Sequence, residues 1–321
     1  MPDWVFRHFG PEQGEKINRA FNRVFRQSRS LDEWRWKFLQ CPWGQAVLTA
    51  ESVTGELLAH FAALPTPFHV QGARRLIGQG VDAFRTDLGA TLPGGENAYR
   101  ATARAFFELY CREGPLELLY GLAGRRHTQV LISHLGWTAL GSLPAFEARV
   151  AGRSFRNVPR GLFLGFNPEL WEQLWHLTRE RFPVMACRDE AFVRWRYLLH
   201  PEQPYRFLFW LEGEGPSAAA VLRARGEVCY LVDLLWDGRS PQVLRDLLCA
   251  VGSLAKDWGC KTLHTWLHGD PLAAQVLLDC GWVRSQAYDE ITVTAISARA
   301  DLDPRDFWEN AFFSMADGDL V

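Results

Sequence analysis

Two carboxylates interrupt strand-like apolar segments. Asp82 follows Val81, and Asp233 lies within Leu231-Val232-Asp233-Leu234-Leu235. Burial disfavours the charged form of a carboxylate and raises its pKa, which would make either residue a candidate proton acceptor. The alternative is a structural anchor paired with an arginine, and occurrence at two places favours it. Tyr99, Tyr110 and Tyr120 are candidate proton donors, Tyr120 at the end of a short apolar strand over 116–120. A glycine-rich turn, Leu92-Pro93-Gly94-Gly95-Glu96-Asn97-Ala98, runs directly into a helical segment. Amides and the positive dipole end at such a place suit an anion. Arg100 adds charge there and Glu96 opposes it.

Other chemistries find little support. The seven cysteines include no C-x-x-C pair, and Cys260 four residues before His264 is too sparse for a zinc centre. His127, His134, His264 and His268 form no recognisable nucleophile–base spacing, and neither H-E-x-x-H nor G-x-S-x-G occurs. Metal catalysis and serine hydrolysis are therefore not expected, and no metal is assigned. With 35 basic and 37 acidic residues the formal net charge is −2, which argues against a nucleic-acid surface. The cluster Arg149, Arg153, Arg156 and Arg160 reads as a solvated linker. The N-terminus lacks a basic region followed by an apolar run, and no stretch is long and apolar enough to span a membrane. These features, with cysteines expected as buried thiols, point to the cytoplasm. Fourteen Trp and 21 Phe predict aromatic-rich cores or an aromatic interface.

Periodicity and punctuation supply the elements that must position these groups. Helices are expected over 12–25, 34–39 with Ser30 and Glu33 as a capping box, 98–112 capped by Asn97, and 127–134. Strands are expected over 45–50, 57–64, before Asp82, over 116–120 and around 146–150. A second series follows: helices over 168–181, 192–199, 242–258 and 272–280, and strands over 207–211, 218–223, 229–236 and 262–266.

Three local matches occur in the same order in both series. Arg35-Trp36-Lys37-Phe38 with Pro42 matches Arg194-Trp195-Arg196-Tyr197 with Pro201. Val81-Asp82 matches Val232-Asp233, and Leu118, Gly124, Gly136 and Trp137 match Leu263, Gly269, Gly281 and Trp282. Ordered self-similarity signals repeated structural units. The expectation is an α/β architecture, a mixed sheet flanked by helices, in two domains over 1–152 and 160–300. The tail containing Asp317-Gly318-Asp319 is expected to fray.

The order of elements, with Leu135-Gly136-Trp137 and Cys280-Gly281-Trp282 closing the helix after the penultimate strand, resembles the GNAT superfamily of N-acetyltransferases. Arg188-Asp189 and the two Arg-Trp segments resemble bacterial proteins with two tandem GNAT-like halves. The resemblance covers nearly the whole chain on short motifs. It implies transfer of an acyl group from acetyl-CoA, or another acyl-CoA, to an amine of a small molecule, amino sugar or peptide. It also implies roles: Asp82 as the strand carboxylate and Tyr120 as the acid. Gly94, Gly95, Glu96, Asn97, Ala98 and Arg100 would form the pyrophosphate loop. Two family features are missing. The Gln/Arg-x-x-Gly-x-Gly/Ala loop is replaced by 92–98, and the asparagine after the penultimate strand is replaced by Gly124 and Gly269. The loop before the second long helix has the single Gly238, so cofactor is expected in the first half and the second half is expected to be degenerate. The competing reading is a non-catalytic GNAT-fold binding or scaffold protein. Tandem GNAT-fold transferases using aminoacyl-tRNA fit poorly with the near-neutral charge.

Overall fold

The computed structural model describes residues 4–8, 10–87, 97–150, 160–202, 204–213 and 215–319. The first half contains β1 (Trp4–His8), α1 (Gly14–Phe25), α2 (Leu31–Leu39), β2 (Ala46–Ser52), β3 (Leu57–Val70) and β4 (Ala73–Arg85). It continues with α3 (Ala98–Phe107), β5 (Leu118–Gly124), α4 (Arg125–Leu135), β6 (Thr138–Ser142) and β7 (Ala145–Arg149). The second half contains β8 (Leu162–Leu164), α5 (Pro168–Arg179), β9 (Val184–Ala186), α6 (Glu190–Val193), β10 (Arg206–Glu212), β11 (Gly215–Arg225) and β12 (Val228–Trp236). Then follow α7 (Pro241–Asp257), β13 (Thr262–His268), α8 (Pro271–Asp279), β14 (Val283–Ser285), β15 (Ile291–Ser297), α9 (Pro304–Glu309) and β16 (Ala311–Ser314). Short π-helical turns extend α3 through Arg112 and α6 through Leu198.

Local chemistry sets the helix ends. Ser30 Oγ accepts from the Glu33 amide, Asn97 Oδ1 from Tyr99, and Asn167 and Asp189 cap α5 and α6 in the same way. Gly136, at φ +72°, supplies the left-handed residue that ends α4. The strands join in one continuous mixed sheet with helices packed on it. Antiparallel β2–β3–β4 leads to a parallel β4–β5 pair, and antiparallel β10–β11–β12 leads to a parallel β12–β13 pair.

The two halves exchange strands. β7 pairs antiparallel with β13 and β14 of the second half, and β15 returns to pair with β5 and β6 of the first. β16 then lies beside β13 and β9, and β9 pairs with the end of β3. The seam is sealed by aromatics: Phe68 packs near Tyr120, Phe307 and Phe313, all buried. Across it the Trp36 and Trp195 rings stack with centroids 5.3 Å apart. Trp36 Nε1 donates to the Trp195 carbonyl and Trp195 Nε1 to the Trp36 carbonyl, at 2.7 and 3.1 Å. Matching positions of the two Arg-Trp motifs thus bind one another.

The tail departs from expectation. Residues 311–318 are buried, and Asp317 forms a capping box with Ser314 and an ion pair with Arg188. Apolar residues at Phe312, Phe313, Met315 and Ala316 hold the segment in the core.

Candidate active site

The site begins where two parallel strands part. β4 and β5 pair only from Ile77–Leu118 to Gly80–Gly121, although both continue beyond. A bulge between His60 and Ala62 of β3 faces this point, and Asp82 there takes φ +48°. A non-glycine residue in the left-handed region costs on the order of 1–3 kcal/mol, so its side chain must be held by strong partners. A notch is left beside Gly80, Gly121 and Gly124. A Cβ added at Gly124 would meet nothing within 4 Å. The notch opens into a cavity of about 620 Å³ reaching Glu33, Trp36 and Lys37 of the first half and Trp195, His200 and Glu202 of the second.

Asp82 has those partners. Its carboxylate accepts from Arg29 Nη1 and, at 2.8 Å, from Lys37 Nζ. Burial pushes its pKa up, but the charges of Lys37 and Arg29 outweigh that and hold it at about 2. The expected raised pKa is therefore corrected, and with it the expected pairing with the arginine of the Arg-Trp motif. Arg35 pairs with Asp32 at the surface, and the buried cations are Lys37 and Arg29. Asp82 so held is a poor base. The second half repeats the arrangement. Arg188 binds Asp233 at 2.8 Å and Asp317 at 2.8 Å, with the Arg188 side chain fully buried, and Tyr197 donates to Asp233. Arg188 stands where Arg29 stands in the first half; sequence reasoning placed neither arginine beside its carboxylate. Their equal spacing ahead of Trp36 and Trp195 was the available signal.

Tyr120 is also engaged. It is buried, its hydroxyl donates to the Asp317 carbonyl at 2.8 Å, and burial and then Asp317 push its pKa well up. It contributes to the seam and is not poised to reprotonate a leaving group. Gly94, Gly95 and Glu96 of the expected pyrophosphate loop lie outside the described residues. Asn97 caps α3, Ala98 is buried, and Arg100 is half-buried on the first turn. The helix N-terminus thus lies at the described edge of that loop. His127, on the first turn of α4, lines the cavity, and its Nε2 meets the Tyr99 hydroxyl at 2.5 Å. Burial lowers its pKa.

Sequence reasoning gave no chemical role at the cavity to Lys37, Gln79, Asp319, Glu33 or Glu202, which line it. Lys37 Nζ also binds Asp319 at 2.8 Å, and Gln79 donates to the same carboxylate. Burial pulls the Lys37 pKa down, but Asp319 and Asp82 overcome this and keep it charged. Glu33 and Glu202, one from each half, both line the cavity. Burial and the Glu202 charge raise the Glu33 pKa.

The corresponding place in the second half is filled. β12 and β13 pair only over Val228–Tyr230 and Thr262–His264, and Ser314 and Phe313 of β16 take up pairing with Leu267 and His268. A Cβ at Gly269 would collide with the Ala311 carbonyl, and one at Gly238 with the Arg181 guanidinium. Among the described residues, no group of His, Cys, Asp and Glu is arranged to hold a metal.

No family profile and no curated protein matches the sequence. Solved structures do match. A protein of unknown function from Enterococcus faecalis, described as a probable N-acyltransferase, has a TM-score of 0.67 at 10% identity, over 92% of this chain and 73% of its own. The GCN5-related N-acetyltransferase from Anabaena variabilis gives the same values. N-myristoyltransferase from Saccharomyces cerevisiae with bound myristoyl-CoA has a TM-score of 0.63 at 10% identity, over 96% of this chain and 88% of its own. The chain has the fold of the GNAT acyltransferases.

Proposed function

We propose that this chain is an acyl-CoA-dependent N-acyltransferase with one working site. The thioester lies in the notch between β4 and β5 and the acceptor amine in the cavity between the halves. The observation that carries the reading is the contrast between the two notches. The first is open beside Gly124 and continuous with a polar cavity, whereas β16 occupies the second. β4 makes no strand pairing toward β5 beyond Gly80. Its backbone can therefore pair with the amide groups of a pantetheine arm, which runs as an extra strand would. The N-terminus of α3 supplies a positive dipole end for the pyrophosphate. Bound acyl-CoA would supply an activated carbonyl, and the protein's part is to align an amine with it in the cavity.

Two GNAT-like units, residues 1–152 and 160–300, describe the organisation, with the second serving as a wall of the acceptor site. Acetyl-CoA is the donor we put first, and the cytoplasm is the compartment we assign, where free cysteines stay reduced. Calorimetric titration of acetyl-CoA into the wild type and a Gly124→Phe variant tests this. Saturable micromolar binding, at least tenfold weaker in the variant, is expected. Equal binding by both proteins would exclude the notch. No binding by folded wild type would leave a GNAT-shaped scaffold protein.

A further inference from the structure

We propose that the second-half wall of the cavity is an anion site, in which Arg223 and Arg225 bind a carboxylate or phosphate group of the molecule that enters there. The inference rests on the acyltransferase reading for that molecule's role, and on that reading it makes the acceptor an acid. Arg223 stands near the end of β11, after the apolar run 218–222, and is 7% exposed. The β11–β12 register shifts between Val221 and Leu222, just ahead of it. A bulge re-aims the side chains beside it, and Arg223 and Arg225 both line the cavity. Arg225 lies two residues further on, where a strand presents the same face, and it is exposed.

Tyr205 gathers the guanidinium groups. Arg223 Nη1 donates to its hydroxyl at 3.5 Å, and Arg196 Nη1 donates to the same oxygen at 3.1 Å. The two guanidinium carbons lie 5.8 and 6.0 Å from the centre of its ring. Arg196 also donates to the carbonyls of Ala316 and Gly318, at 3.4 and 2.8 Å, which fixes the second-half wall against the end of the chain. The oxygens just named are neutral, so they accept hydrogen bonds without cancelling charge.

Three of the carboxylates lining the cavity are held by other cations. Asp82 is bound by Arg29 and Lys37, Asp319 by Lys37, and Asp317 by Arg188. Of the remaining two, Glu33 is on α2 of the first half and Glu202 is exposed in the loop after His200. The field at the wall is visible in its neighbours. Burial lowers the Arg223 pKa, and the charges of Arg196 and Arg225 add to this against the Tyr205 contact. Burial takes His200 down to about 3, with Arg196 and Arg223 contributing, so its imidazole is neutral. A guanidinium fork matches the paired oxygens of a carboxylate or phosphate, and such charge-assisted bonds are the strong ones. Trp36, Trp195 and Phe192 line the same cavity and suit an apolar body attached to the anion.

The test is calorimetric titration at low ionic strength of 3-phenylpropionate, phenyl phosphate and 3-phenyl-1-propanol. The proteins are the wild type, Arg223→Gln and Arg225→Gln, each checked for folding by circular dichroism. In the wild type at least one anion is expected to bind tenfold more tightly than the alcohol, and the tighter anion tells carboxylate from phosphate. Arg223→Gln is expected to lose that preference, and Arg225→Gln to reduce it at least threefold with alcohol binding unchanged. Arg225 is exposed, so its replacement keeps the test decisive even if Arg223→Gln does not fold. An alcohol that binds as tightly as both anions, or an Arg225→Gln protein that binds them as the wild type does, would overturn the proposal. Acetyl-CoA titrated into the same proteins separates the two readings. Retained CoA binding with a reduced anion preference supports both. CoA binding lost together with that preference would assign these arginines to the phosphates of CoA and overturn the proposal. Anion preference in a wild type that binds no acetyl-CoA keeps the site and removes the acyltransferase reading.

Discussion

Buried charges in this protein come in matched sets. Asp82 is held by Arg29 and Lys37, and Asp233 by Arg188 with Tyr197. Removing one partner of such a set leaves an uncompensated buried charge and costs about 3–5 kcal/mol. His60 lies beside the first set. Its Nδ1 bonds the Asp82 carbonyl at 2.7 Å, its ring stacks on Phe84, and burial lowers its pKa from 6.5 to about 4. The sign follows from linkage. Between those values the unfolded chain binds a proton at this residue and the folded chain does not, so stability falls as pH falls from 6.5 to about 4. In His60→Gln, urea denaturation at stepped pH is expected to give a shallower loss over this interval. Parallel curves for variant and wild type would show that His60 is not held neutral by the fold.

At the scale of elements, the exchanged strands have a physical consequence. β5 and β6 are separated by a strand that arrives only after residue 290, and β13 and β14 both pair with a strand made before residue 150. Each half alone would expose unpaired strand edges where these belong. Residues 1–152 expressed alone are therefore expected to be aggregated or unfolded by circular dichroism and gel filtration, and co-expression with 160–321 to restore a soluble complex. A stable, cooperatively folding 1–152 fragment would contradict this. Such an exchange is not written in local sequence. Helix caps at Ser30, Asn97 and Asn167 and the long apolar strands were legible because their signals are local. β7 and β15 have no feature that tells which half they join, since pairing is decided by distant partners. The same limit applies to the site. Asp82 stood out as a carboxylate in an apolar strand, but its low pKa depends on Lys37 and Arg29, both far away in sequence. Glu202 and Asp319 enter the cavity from loops with no motif, and the tail that seemed polar enough to fray is anchored by Arg188.

For the whole molecule, two similar halves face each other across Trp36 and Trp195 and differ in what fills the gap between their parallel strands. In the second half the gap is occupied by the end of the chain. That same end continues to the first-half cavity, where Asp317 accepts from Tyr120 and Asp319 binds Lys37. On the proposed function, the second half contributes a wall of the acceptor cavity and the β4–β5 notch holds the donor. Hydrogen–deuterium exchange of the wild type with and without acetyl-CoA tests this most directly. The account predicts slower exchange at residues 80–84, 121–127 and the start of α3, with the β12–β13 region unchanged. Protection centred on β12 and β13, or none anywhere at saturating acetyl-CoA, would contradict it.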